Sequence, residues 1–283
     1  MRRAQPWLGT LVEISVPEDD SADTRHVTIA INAAFAAIAR VHHCMSFHAP
    51  DSDVSAVNRL EVGARIQVDA STAEVLHCAL LLEEASDGIF NPACAGKLCA
   101  WGYLPTPEST VPGAPSAFAV TMLPRTVLRI DGTGEITKLL AGWIDLGGIA
   151  KGHAVDRAVA ALQDHGIAAG CVNAGGDLRA FGDAAFPVVI RDPGAPTRAA
   201  CTLALQNHAL ATSACYFSWR DIDGVPHSAL VDGADGSTLV SGRSVSVLAP
   251  SCMLADGLTK IVMATGDAQH PLLARFGATA FII

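Results

Sequence analysis

Three short segments of this sequence carry residue types that phosphate and cation chemistry uses. Gly147-Gly148-Ile149-Ala150-Lys151-Gly152 opens an apolar-periodic stretch at 150–165. Backbone N–H groups at that helix start, together with the Lys151 ammonium, could hold a phosphate, because helix N-termini present unpaired donors and partial positive charge. A glycine-rich turn with a surface lysine accounts for the same residues. Ala255-Asp256-Gly257-Leu258-Thr259-Lys260 puts a carboxylate near the start of a second helix, where it either caps the helix or ligates a cation. Asn173-Ala174-Gly175-Gly176-Asp177 joins two short strands, and its paired glycines permit positive φ or close approach of another backbone. Several familiar nucleotide and nucleophile signatures are excluded. Lys151 is followed by Gly152-His153, where a Walker A sequence needs Ser or Thr, Gly132-x-Gly134 sits in a hairpin signal and meets Thr137, and no Gly-x-Ser-x-Gly elbow exists.

Composition narrows the remaining classes. Hydrophobic residues make up 50% of the 283 and charged residues 17%, so the chain has a core to fold around, either as one large domain or as two intimate lobes. Its net charge of −9, with no run of Lys or Arg, gives no electrostatic basis for tracking nucleic acid. No stretch reaches the roughly 18–20 uninterrupted apolar residues of a membrane span. The start Met1-Arg2-Arg3 is followed by an alternating segment that includes Glu13, where a signal peptide needs a continuous apolar run. A cytoplasmic location is the expectation. Eight cysteines then read as buried small hydrophobes without disulfides, and Cys94-x4-Cys99 lacks a partner pair at zinc spacing.

The elements that must position these segments follow from periodicity. Alternation predicts a strand over 7–16, and Ile29, Ile31, Phe35, Ile38 and Val41 predict an amphipathic helix over 27–44. Ala49 to Asp53 reads as a turn into a further helix, and residues 71–86 as a helix ended before Gly88. The Pro-, Gly- and Ser-rich stretch 105–117 is the expected surface loop between lobes of a single 1–283 domain. A hairpin is expected around Asp131-Gly132-Thr133-Gly134, then a helix at 150–165 and strands at 170–174, 178–181, 186–191, 201–205 and 243–249. A helix at about 252–265 and a strand at 278–283 close the chain. Because hairpins interrupt the alternation of strand and helix, the predicted class is α+β and not a doubly wound parallel sheet.

Taken in order, these blocks resemble the ApbE family of FAD:protein FMN transferases. The resemblance is carried by Leu8-Gly9-Thr10, Ser52 to Asn58, Asp87 to Pro92 with Trp101-Gly102, Asp145 to Arg157, Asn173 to Asp177, Ala211-Thr212-Ser213 and Ala255-Asp256. It covers nearly the whole chain. The family implies a T-fold-like α+β architecture with FAD bound between two lobes and Mg2+ at its pyrophosphate. FMN would pass to a Thr or Ser hydroxyl of an acceptor protein, with release of AMP. Carried over by position, Leu8, His48 (often Tyr in the family), Ile89, Phe90, Asn91, Asp145 and Lys151 would contact FAD. The carbonyls of Gly148 and Thr259 and the carboxylate of Asp256 would meet the metal.

The chain departs from the family pattern at three places. Lys260 stands where the family usually has Thr four residues after the metal Asp, which gives either an ordinary i,i+4 ion pair or an ammonium that assumes part of the metal's charge role. Ala229 stands where the family has a histidine base. His227, two residues earlier, shares a strand face with that position if the segment is extended, and so is the expected base; otherwise it is an exposed histidine. Ala214-Cys215 replaces a Gly-acidic pair. These departures keep two other readings open: a non-catalytic FAD-binding or flavin-storage protein, and an FAD pyrophosphatase with water as acceptor.

Overall fold

Short polar caps and apolar stripes divide the chain into elements that a computed structural model describes over residues 1–17, 23–107, 123–215 and 219–283. Strands β1 (Arg2–Trp7) and β2 (Thr10–Ser15) form a hairpin, followed by α1 (Thr24–Met45), α2 (Asp53–Arg59), β3 (Arg65–Gln67) and α3 (Ala70–Ala85). A 3-10 turn at Pro92–Cys94 leads to α4 (Ala95–Ala100), then β4 (Leu128–Ile130), β5 (Glu135–Lys138) and α5 (Ala150–Asp164). The second half runs β6 (Gly170–Ala174), β7 (Asp177–Phe181), β8 (Phe186–Asp192), β9 (Ala195–Leu205) and β10 (Ala209–Ala214). It closes with β11 (Arg220–Ile222), β12 (Val225–His227), β13 (Ser244–Ala249), α6 (Cys252–Thr265), α7 (Pro271–Arg275) and β14 (Thr279–Ile282).

The main sheet has seven strands in the order β1-β2-β6-β7-β10-β13-β14, every neighbouring pair antiparallel. This is the α+β architecture expected from the sequence. Alternation sends Val172, Ala174, Phe181, Ala209, Ala211, Val245 and Val247 into the main core. Cys171, Leu178, Ala180 and Leu210 face the other way and pack with Ile190 and Leu205 of the β8–β9 hairpin. Over the first face, α5 packs against α1 on one side and α6 on the other. By length and composition α1 could cross a membrane. Here it is a core helix, with Ala30, Ile31, Ala34 and Ile38 fully buried.

Two expectations need correction. The strand read at 7–16 is broken by a two-residue turn, Leu8-Gly9, so that β1 and β2 pair from Trp7↔Thr10 to Arg2↔Ser15. Both turn residues have positive φ (55° and 71°), which matches the right-handed twist of a hairpin. Apolar alternation simply continues through the turn, and Leu is not a residue that advertises positive φ. Strand β9 is also longer than the 201–205 segment, because its first half is exposed and lacks the apolar alternation that marks a strand. Residues 108–117 of the expected inter-lobe loop lie outside the described residues.

Candidate active site

Helices α5 and α6 cross at their N-terminal ends, and Gly152 is what lets them. A Cβ at position 152 would lie 2.2 Å from the Cys252 carbonyl oxygen, so any larger residue must separate the helices. The crossing is fastened from both sides. Gly152 donates its N–H to Asp256 Oδ2 (3.1 Å), while Asp156 on α5 accepts from the first-turn amides of α6, Cys252 (3.0 Å) and Met253 (2.8 Å). Arg179 of β7 holds the same Asp156 carboxylate at 2.7 Å. Charge at the start of α6 is therefore complemented by a carboxylate, as a helix N-terminus favours.

Around this crossing lie two buried carboxylates and two ammoniums. Asp256 is fully buried and Asp177, the first residue of β7, is 2% exposed. Lys151 pairs with Asp177 and lies 3.8 Å from Asp256 Oδ2. Lys260 pairs with Asp256 Oδ1 and donates to the Asp256 carbonyl (3.1 Å) and to Thr259 Oγ1 (3.2 Å). Thr259 Oγ1 in turn bonds the Asp256 carbonyl (2.6 Å) and Ser213 Oγ of β10 (2.7 Å). Burial raises the Asp177 carboxyl above its ordinary value, as does the nearby Asp256 charge, while Lys151 and Lys260 oppose both. Burial works against the Lys151 charge, yet Asp177 and Asp256 together hold its pKa above the usual lysine range. Charges taken out of water at this depth are tolerated only when paired and hydrogen-bonded, as these are.

The turn at Gly175-Gly176 brings Asp177 to this place. Both glycines have positive φ (66° and 106°), closing a two-residue hairpin between β6 and β7, and Asn173 Oδ1 accepts the Gly176 N–H at 3.0 Å. A Cβ on Gly175 would meet Thr10 Oγ1 at 2.4 Å, so the Leu8-Gly9-Thr10 turn lies directly beside it. Leu8 is thus at the same end of the sheet as Asp177.

The other residues singled out from the sequence fall into three groups. Of the expected metal ligands, Asp256 meets Lys260 through its carboxylate and Thr259 does so through its hydroxyl and not its carbonyl, while a Cβ on Gly148 would lie 3.5 Å from Lys260 Cε and 3.7 Å from the Phe90 ring. Asp145, half-buried just ahead of α5, accepts from the Gly147 N–H at 3.1 Å. Burial raises its pKa, while the Gly147 amide and the charge of His48, itself exposed, lower it. The third group is built into the framework. Phe90 is 6% exposed, and Asn91 spends its side chain on the Ala93 N–H (2.8 Å) and the Pro124 carbonyl (3.3 Å). Ile89 accepts the Gly233 N–H at 3.0 Å, which ties the 232–236 turn to this segment.

His227 ends β12, so the period-two relation with Ala229 does not extend along a strand. Its ring packs on Trp101 (centroids 4.8 Å apart), and its carbonyl accepts the Tyr103 hydroxyl at 2.8 Å. Arg220 lies over the Tyr103 ring at 4.7 Å. His227 Nδ1 is 2.9 Å from the Val225 carbonyl. A carbonyl only accepts, so Nδ1 carries the proton in this bond and Nε2 is left as the basic nitrogen. Asp177 and Ser213 are central to the cluster, although the motifs that contain them assign a role to neither. The available signal for Asp177 was a carboxylate opening the otherwise apolar-patterned strand Asp177-Leu178-Arg179-Ala180-Phe181.

A family profile described as the ApbE family matches residues 8–282. The FAD:protein FMN transferase of Rhodobacter capsulatus is 30% identical over 272 residues, covering 94% of this chain, and the chain spans about half (51%) of that relative's length. The FAD:protein FMN transferase of Treponema pallidum is 27% identical over 294 residues, covering 96% of this chain and 81% of the relative. Among solved structures, the ApbE protein of Thermotoga maritima superposes with a TM-score of 0.82 at 26% identity, covering 100% of this chain and 94% of its own. With the family profile spanning nearly every residue, this chain belongs to the ApbE family.

Proposed function

We propose that this chain is a flavin transferase that takes FAD as donor and a protein as acceptor. The observation that carries the proposal is the meeting of the α5 N-terminus with the Lys151 and Lys260 ammoniums, held in place by buried Asp177 and Asp256. Phosphoryl-group transfer is mainly positioning and charge neutralisation, and these groups supply cations and backbone dipoles where a pyrophosphate needs them. In the proposed reaction the hydroxyl oxygen of an acceptor Thr or Ser attacks the FMN-side phosphorus. The bond from that phosphorus to the bridging oxygen breaks, AMP leaves with the electron pair, and the hydroxyl proton passes to a base. His227 is the proposed base, through Nε2, because Nδ1 is committed to the Val225 carbonyl. Asp145, His48, Leu8 and Ile89 are proposed to border the nucleotide. Phe90 and Asn91 support that wall from within, since one is core and the other is a spent cap.

The family resemblance also implies Mg2+, and the donor set does not fit it as the chain stands. Mg2+ requires near-octahedral oxygen ligation at about 2.0–2.1 Å. The one side-chain ligand of the implied set, the Asp256 carboxylate, already holds the Lys260 ammonium, which also donates to the Asp256 carbonyl and the Thr259 hydroxyl. Among the described residues no three His, Cys, Asp or Glu side chains gather as a ligand set.

Product analysis tests the proposal. Purified protein incubated with FAD and an extract containing its acceptor is expected to yield AMP together with flavin that survives denaturation. AMP with free FMN would establish hydrolysis instead, and unreacted FAD with retained binding would establish the non-catalytic reading. The Asp256→Asn variant is expected to lower AMP release about a hundredfold. Full activity in a correctly folded Asp256→Asn protein would contradict the assignment.

A further inference from the structure

We infer that Lys260 is the site's own tethered cation, and that this protein holds the pyrophosphate of its flavin nucleotide without a divalent metal. The inference rests on the functional reading above and extends it to the identity of the cation. The Asp256 carboxylate, the Asp256 carbonyl and the Thr259 hydroxyl converge on one point, and that point is occupied by Lys260 Nζ. Three oxygens of these kinds around a single centre form a cation cage. The tether has a simple origin. Residues four apart lie on one face of α6, so a lysine at 260 reaches back to the Asp256 it follows.

Burial separates this contact from an ordinary helix-surface pair. The Asp256 side chain is 0% exposed and that of Lys260 only 14%, and a Cβ on Gly148 would lie 3.5 Å from the lysine stem. In such surroundings screening is weak and an ion pair is not readily exchanged for water. The charge is already balanced: Asp177 and Asp256 are matched by Lys151 and Lys260. A divalent ion bound at Asp256 Oδ1 would lie against the Lys260 ammonium and leave the cluster with excess positive charge. The Lys260 bonds to the Asp256 carbonyl and to Thr259 Oγ1 are its two longer ones, at 3.1 and 3.2 Å. These are the acceptors that an incoming phosphate oxygen replaces, while the pairing with Oδ1 holds the ammonium in place.

Electron paramagnetic resonance of Mn2+, read alongside FAD binding by fluorescence quenching, tests this directly. Chelator-treated wild-type protein is expected to leave the free Mn2+ signal unchanged, and its FAD affinity is expected to differ by less than about twofold between EDTA and Mg2+. Lys260→Thr removes the ammonium and adds a hydroxyl ligand. That variant is expected to bind Mn2+, to lose about tenfold in FAD affinity in EDTA, and to recover it in Mg2+. Stoichiometric Mn2+ binding by the wild type, or FAD affinity more than about tenfold weaker in EDTA, overturns the inference. The wild-type measurements decide the matter even if Lys260→Thr fails to fold. Failure of the wild type to bind FAD in either buffer overturns the functional reading beneath it, an outcome distinct from Mn2+ binding.

Discussion

A carboxylate with no exposed surface is useful only for what it holds, and Asp256 holds three things: the Gly152 amide, Lys260 and, at longer range, Lys151. Asp177 does the same for Lys151 from the opposite side. Lys151→Met therefore leaves Asp177 buried without its cation. It is expected to cost about 3 kcal/mol in urea unfolding, the low end of the range because the Lys151 side chain is 33% exposed. Adding Asp177→Leu should recover most of that loss; an undiminished loss in the double variant would show that the pair is not the cause. For catalysis, His227→Ala is expected to slow transfer about a hundredfold with FAD affinity unchanged, and an unchanged rate would remove His227 as base. At this scale Asp145, Lys151 and Asp256 were legible because they sit in dense motifs. The Asp256–Lys260 contact followed from helical spacing alone. What spacing cannot give is depth: the sequence does not distinguish a solvated i,i+4 pair from a buried one. Nor could it pair Asp177 with Lys151, 26 positions apart, since that depends on β7 running under α5.

The helix crossing is the element on which the site depends. Gly152→Ala places a methyl group where the Cys252 carbonyl stands, so α5 and α6 must separate and the Gly152 amide leaves Asp256. A loss of about 1–3 kcal/mol is expected in thermal or urea unfolding, with weakened FAD binding. Wild-type stability and affinity in that variant would contradict the packing argument. The α3–α5 joint gives a pH test. His153 is 1% exposed and bonded to Ser71 Oγ at 2.6 Å, and burial lowers its pKa to about 4, with the nearby Arg157 adding to the shift. A depressed folded-state pKa means that the unfolded chain binds the extra proton first. The contribution of His153 is thus complete above about pH 6.5 and is lost as pH falls toward 4, up to about 3 kcal/mol. His153→Gln should flatten that part of the Tm–pH curve, whereas an identical slope in both proteins would refute the assignment. The helices were readable from their stripes and from residues such as Ser251, which caps α6 by accepting the Leu254 N–H. The Leu8-Gly9 turn and the short strands were not, because strand pairing across the sheet, and not local preference, sets them.

Across the whole molecule, an antiparallel seven-stranded sheet carries the residues of the charged cluster and its neighbours at strand ends and helix starts. Asp177 opens β7, Ser213 lies near the end of β10, and the Leu8 turn joins β1 to β2. Hairpins interrupting strand–helix alternation made the α+β class legible. The strand order was not, since β6 inserts beside β2 across more than 150 residues of sequence. This arrangement brings the Leu8–Thr10 turn, Asp177 and the α5–α6 crossing to one end of the sheet, although each block alone reads as an ordinary turn or cap. The proposed covalent transfer of flavin to a protein is read out by ultraviolet fluorescence of a denaturing gel. Proteome from the source organism is compared with that of a strain lacking this gene and of the complemented strain. A fluorescent band that disappears with the gene and returns on complementation is the predicted result; bands identical in all three would contradict it.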